Sequence, residues 1–116
     1  MLAGVLCIVA VNVGGCKSSE EETIKNIKIG VTLYDQYDTF LSEMMAEFTK
    51  YTADKEEESG VAINMEIMDA SQSQLTQNEQ VKSLIDKGCD VICVNLVDRT
   101  EPTTITDLAE NNNVPI

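Results

Sequence analysis

The chain has 116 residues, 20 acidic against 8 basic side chains, a net charge of −12, no His, no Trp and 4 Cys. One ordinary domain of ~100–200 residues fills that length, which leaves no room for a multidomain enzyme. The charge argues against nucleic acid or an anionic membrane face as a partner, because phosphate binding depends on clustered Lys and Arg. Without His there is no Ser-His-Asp triad, no Cys-His pair and no histidine-built zinc site. Only 2 Pro and 6 Gly against 43% hydrophobic residues argue against a disordered chain.

Residues 1–16 read as a leader. Met1 to Gly15 carries no charge, and the chain then turns abruptly polar at CKSSEEE. Fifteen residues fall short of the ~20 that span a bilayer but suit the apolar region of a signal peptide. Val13-Gly14-Gly15-Cys16 looks like a bacterial lipobox, in which small residues precede a Cys that is lipidated on its thiol. The alternatives are an ordinary secretory leader or a buried apolar strand, with Cys16 incidental. A signal peptide opens with Lys or Arg and none precedes Cys16, so the true start is expected upstream of Met1. Residues 17–26 (KSSEEETIKN) are charged, lack apolar periodicity and read as a tether or a solvated first helical turn.

Residues 27–116 alternate strand and helix. Ile27 to Leu33 (IKIGVTL) is a β-branched, apolar strand that ends at Tyr34-Asp35-Gln36-Tyr37-Asp38. Phe40, Leu41, Met44, Met45, Phe48 and Tyr51 then recur at helical spacing, and Ser59-Gly60 interrupts the pattern. Val61 to Met68 has period two and predicts a second strand. Gln72 to Lys87, carrying Leu75, Val81, Leu84 and Ile85, predicts a second helix stopped at Gly88. Asp90 to Val97 is nearly continuously apolar, as strands buried on both faces are. Thr103 to Asn112 predicts a third helix with Pro102 near its first turn, and Val114 to Ile116 begins a fourth strand. This order predicts an α/β fold, a doubly wound parallel sheet with right-handed crossovers.

In such sheets ligands sit beyond the carboxyl ends of the strands, where strand order reverses. Those ends are Tyr34–Asp38, Asp69–Ser71 and Asn95–Asp98. The first loop interleaves aromatics with carboxylates and holds no cation, which suits a neutral polyhydroxylated ligand. Asp38 has a second reading as the cap of the helix after it, Tyr34 as an ordinary strand-end aromatic, and Phe40 as part of the helix core face. Asn95 reads as an amide within an apolar strand, which needs a partner in a ligand or a neighbouring loop. Gly30, Gly60 and Gly88 stand alone, so no phosphate-binding loop appears. Asp35 and Asp38 share one loop rather than facing each other across a scissile bond, which disfavours glycoside hydrolysis. Cys89 and Cys93 read as small buried hydrophobes, and Met44, Met45, Met65 and Met68 as core.

IGVTLYDQYDTF (Ile29 to Phe40), MDASQSQ…QNEQV (Met68 to Val81) and VNLVD (Val94 to Asp98) resemble the galactose/glucose-binding proteins of methyl-galactoside-type ABC sugar importers. The similarity runs from about Ile27 to Ile116. It implies the first lobe of a two-lobed, type I periplasmic binding protein, not an enzyme. It implies that Asp38 and Asn95 hydrogen-bond pyranose hydroxyls, Phe40 stacks on the ring and Tyr34 lines the cleft mouth. It also implies a monosaccharide (galactose or glucose) and an ABC permease as partners, with a monomeric, extracytoplasmic protein. The lipobox points to a lipid-anchored, Gram-positive version. A second lobe, with a further stacking aromatic and a structural calcium site, is expected outside these residues, and no cofactor within them. Isolated, the chain is expected to bind sugar weakly or not at all. The alternatives are a binding protein for ribose, xylose or an autoinducer sugar, or a sugar-sensing receptor component. A repressor core lacks its helix-turn-helix headpiece here, and a flavodoxin-like enzyme its phosphate loop.

Overall fold

A computed structural model describes residues 25–116; the leader, Cys16 and the tether as far as Ile24 lie outside the described residues. The order is β1 (Asn26–Leu33), α1 (Thr39–Ser59), β2 (Ala62–Asp69), α2 (Gln74–Asp86), β3 (Val91–Val94) and α3 (Thr103–Asn111). All pairings are parallel, in the order β2-β1-β3. The register sets Leu33 opposite Asp69 and Thr32 opposite Val94, so the three strands end together along one edge of the sheet. From β1 the chain steps to one side for β2, then crosses back over β1 to reach β3. That reversal places a crevice at the carboxyl ends of β1 and β3.

Alternation along β1 divides the core between two faces. Val31 and Leu33 pack under α1 with Leu41 and Met45, flanked by Phe48 and Met65. On the other face Val81 and Leu84 of α2 meet Cys89, Ile92 and, from α3, Ile105. Gly30 lies beneath Leu84, and a Cβ there would come within 2.9 Å of Leu84 Cδ1, so glycine lets α2 settle onto the sheet. Each helix has its own start and stop. Asp38 Oδ1 accepts from Leu41 N–H (2.9 Å) and Ser73 Oγ from Thr76 N–H (3.2 Å), relieving donors that have no partner inside the helix. Gly88, at φ +74°, ends α2 in a left-handed turn in which Cys89 N–H reaches Leu84 O (3.1 Å).

Several elements differ from expectation. β1 starts at Asn26, inside the expected tether. On α1 the buried stripe is Leu41, Met45 and Thr52, while Phe40 (72% exposed), Met44 and Tyr51 point outward. One helix face meets the sheet, and the neighbouring stripe turns toward the open side of β3. Cys93, expected to be buried, faces that same open side and is exposed, whereas Cys89 is buried; both are free thiols. Leu75 is exposed, and the buried residue of the first turns of α2 is Gln77. α2 starts at Gln74 because Ser71 and Gln72 adopt left-handed φ values of 50° and 61°. β3 ends at Val94, three residues early, because side chains of α2 replace a neighbouring strand from Asn95 onward. Val114–Ile116 is not a strand: a single bond from Ile92 N–H to Pro115 O (3.0 Å) joins it to β3, and Pro115 has no N–H with which to continue a ladder.

Candidate ligand-binding site

The loop between β1 and α1 turns back on itself through its own carboxylates. Asp35 Oδ1 accepts from Tyr37 N–H (2.8 Å) and its Oδ2 from the Gln72 amide (2.7 Å), tying this loop to the one after β2. Asp69, the last residue of β2, reinforces the tie by accepting from Gln36 N–H (3.1 Å), Ser71 N–H (3.0 Å) and Ser71 Oγ (2.9 Å). Burial pushes the Asp69 carboxyl upward, but the bonds from Ser71 and Gln36 outweigh it and hold the group below the usual carboxylate range. In the loop after β3, Asp98 is likewise held low by the Thr100 hydroxyl and then the Thr100 N–H (2.6 and 2.8 Å).

Inside this frame the structure brings three of the expected site residues together. Tyr34 donates its hydroxyl to Asp38 Oδ2 (2.7 Å), and Tyr34 N–H makes a long bond to Asn95 Oδ1 (3.4 Å). The two readings of Asp38 are compatible: one carboxylate oxygen caps α1 while the other meets Tyr34. The Tyr34 bond, followed by the Leu41 N–H, lowers the pKa of Asp38, and the same bond to an anion raises that of Tyr34. Asp38 is therefore ionised at neutral pH, with lone pairs to spare for a ligand hydroxyl. Phe40 stands apart on the first turn of α1, with its ring exposed. Asn95 lies one residue beyond β3, at the crevice, rather than within a strand.

Three residues of the site's framework carried no signal in the pattern of apolar residues. Gln74, Gln77 and Gln80 lie at i, i+3 and i+6 along one face of α2. Gln74 Oε1 accepts from Asp98 N–H (2.7 Å); Gln77 binds Asn95 O (2.9 Å) and Val97 N–H (2.9 Å); Gln80 binds Thr32 Oγ1 (2.7 Å) and Asp69 O (2.7 Å). Together they hold the ends of all three strands. The signal that could have revealed them is the three-residue spacing of amides on the face that continues as Val81 and Leu84.

A depression of about 610 Å³ runs along α1 and β3 and touches the site only at Asn95. Val31, Leu33, Met45, Phe48 and Val94 line it, so it offers apolar packing surface rather than polar recognition. Among the described residues no group of three His, Cys, Asp or Glu side chains could hold a metal ion. What the crevice can do is exchange hydrogen bonds with neighbouring hydroxyls through a carboxylate and an amide.

The periplasmic binding protein domain matches residues 29–116. The chain belongs to that family. The D-galactose/methyl-galactoside binding periplasmic protein of Haemophilus influenzae is 36% identical over 89 residues, covering 77% of this chain and 25% of that protein. An ABC transporter solute binding protein from Bacillus halodurans, solved with bound myo-inositol, superposes with a TM-score of 0.69 at 25% identity, over 82% of this chain and 31% of that one. A solute binding protein from Clostridium phytofermentans, with bound β-D-glucose, shares the fold at 16% identity and a TM-score of 0.57, over 75% of this chain and 25% of that one. The chain thus spans a quarter to a third of the length of these relatives. Its sheet and helices are those of a type I periplasmic-binding-protein lobe.

Proposed function

We propose that this chain forms a sugar-binding lobe of the substrate-binding component of an ABC importer, with D-galactose or D-glucose as ligand. The observation that carries the reading is the meeting of Asp38 and Asn95 on the two sides of Tyr34, at the point where strand order reverses. In this reading Asp38 and Asn95 bond adjacent pyranose hydroxyls, Phe40 covers the apolar C–H face of the ring, and Tyr34 lines the mouth and orients the Asp38 carboxylate. An acceptor set of this kind penalises a ligand that lacks the matching hydroxyl, because a desolvated carboxylate or amide is then left unpaired. The Haemophilus relative, named for galactose and methyl-galactoside, supports the hexose assignment.

The lobe supplies one wall of a site. The relatives are roughly two and a half to three times as long as this chain, and we assign the opposing wall, the closing motion and any calcium to further polypeptide of that kind. The protein works outside the cytoplasmic membrane, as a monomer that hands sugar to a permease. Among the described residues no helix is long and apolar enough to cross a membrane, and a lipid on Cys16 would hold the protein at the surface.

The test is calorimetric titration of the protein expressed from its whole reading frame with galactose, glucose, methyl-galactoside, ribose, xylose and myo-inositol. Micromolar or tighter binding of a hexose, weakened at least ~10-fold by Asn95→Ala, is expected. Preference for a pentose or for myo-inositol would overturn the hexose assignment, and binding indifferent to Asn95 would overturn the site.

A further inference from the structure

We infer that Gln77 is a positioning residue for the ligand site, holding Asn95 in place after its strand has ended. The inference rests on the sugar-binding reading above. Gln77 is fully buried, an unusual place for an amide, and every polar contact it makes lies at the strand ends. Its Nε2 donates to Asn95 O at 2.9 Å and its Oε1 accepts from Val97 N–H at 2.9 Å, with a longer contact from Nε2 to Thr32 Oγ1 at 3.4 Å. A carbonyl at one residue and an N–H two residues later is the pair that a neighbouring parallel strand would engage. Gln77 thus supplies, from a side chain, one more peptide-like rung just after the ladder from β1 has closed with Asn95 N–H to Thr32 O (2.9 Å).

This rung secures the stretch of backbone that carries the ligand-facing amide. Past Val94 the segment has no strand pairing, yet Asn95 must be held with its side-chain oxygen near Tyr34 N–H, a contact already long at 3.4 Å. Without Gln77 the Asn95 carbonyl and the Val97 N–H would have to find water or shift, and the amide of Asn95 would lose its aim. Gln80 provides an internal comparison. It is the same residue type on the same helix face and bonds Thr32 and Asp69, and its side chain makes no hydrogen bond to residues 95–98.

The test compares Gln77→Met with Gln80→Met, which have nearly the same shape without the amide, in the protein expressed from its whole reading frame. Amide hydrogen exchange is read in the sugar-free protein, galactose and glucose affinity by titration, and stability by denaturant. Gln77→Met is expected to speed exchange at Val97 and to weaken sugar binding by ~10-fold or more. Gln80→Met is expected to lower stability while leaving Val97 exchange within about twofold, because its bonds go to Thr32 and Asp69 and not to Val97. Unchanged Val97 exchange or unchanged sugar affinity in Gln77→Met, or Val97 exchange speeded equally in both variants, would overturn the inference. If Gln77→Met does not fold, the unsubstituted protein decides: Val97 N–H must exchange far more slowly than the exposed Arg99 N–H, and equal rates would overturn the inference. Absence of sugar binding by the unsubstituted protein would sink the sugar reading alone, because the exchange comparison still judges the rung.

Discussion

Gly30→Ala probes how α2 is seated over the strand ends. Gly30 is buried in the middle of β1, and an added Cβ would lie 2.9, 3.0 and 3.2 Å from Leu84 Cδ1, Cδ2 and Cβ. Leu84 is fully buried, so its methyl groups cannot simply rotate into solvent, and the contact with its Cβ can be relieved only by moving the helix. Overpacking of this kind costs about 1–3 kcal/mol. Leu84→Ala should cost about 2–5 kcal/mol through the cavity it leaves. In that background the alanine at position 30 would point into empty space, so Gly30→Ala should then be nearly neutral, a coupling of at least about 1 kcal/mol. Urea unfolding of the two single variants and the double variant, with unchanged m values, measures this directly. Strict additivity, or a single Gly30→Ala variant as stable as the parent, would refute the claimed contact.

Tyr34→Phe removes the donor to Asp38 Oδ2, and the Asp38 pKa should rise toward the ordinary Asp value; a carboxyl-carbon NMR titration with an unchanged midpoint would contradict the role given to Tyr34. Asp38, Asp69 and Asp98 are all held below their ordinary values, so they bind fewer protons folded than unfolded. Their stabilisation is complete above the unfolded pKa of about 3.9 and is lost as pH falls through the lower folded values. Denaturant unfolding should therefore show stability falling below about pH 4, and less steeply in Asp69→Asn; an identical acid profile in that variant would refute the assignment. Metabolic labelling with radioactive palmitate should mark the protein and lose the mark in Cys16→Ser, whereas an unlabelled parent would remove the lipid anchor.

The alternation of strand and helix was legible because β-branched period-two runs and 3.6-period runs are local properties of the chain. So was the cap at Asp38, which stands just before α1 and spends a side-chain oxygen on its first turn, whereas the helix start expected at Gln72 hid the cap at Ser73. Strand ends alone offered Tyr34, Asp35, Tyr37, Asp38, Phe40, Asn95 and Asp98 as candidates, because a parallel sheet sends its loops to one edge; the narrowing to Tyr34, Asp38, Phe40 and Asn95 came from the family resemblance. Which stripe of α1 faces the sheet was not legible. Phe40, Met44 and Tyr51 are as apolar as Leu41 and Met45, and only the placement of β2 and β3 distinguishes them. The length of β3 was hidden for a similar reason: Asn95-Leu96-Val97 is apolar enough to be a strand, but glutamine side chains take over its backbone bonds. Gln77 itself reads as surface by composition, and its burial makes sense only once the strand ends it serves have been brought together.

Recognition of a hexose by Asp38 and Asn95 on a shared Tyr34 is tested most directly by one calorimetric titration series. D-galactose and D-glucose are titrated into the protein expressed from its whole reading frame, as the parent and as Asp38→Asn and Asn95→Ala. Saturable binding to the parent, with each variant weaker by ~10-fold or more at preserved stability, is the predicted result. Parent and variants binding the same sugar with equal affinity would contradict it.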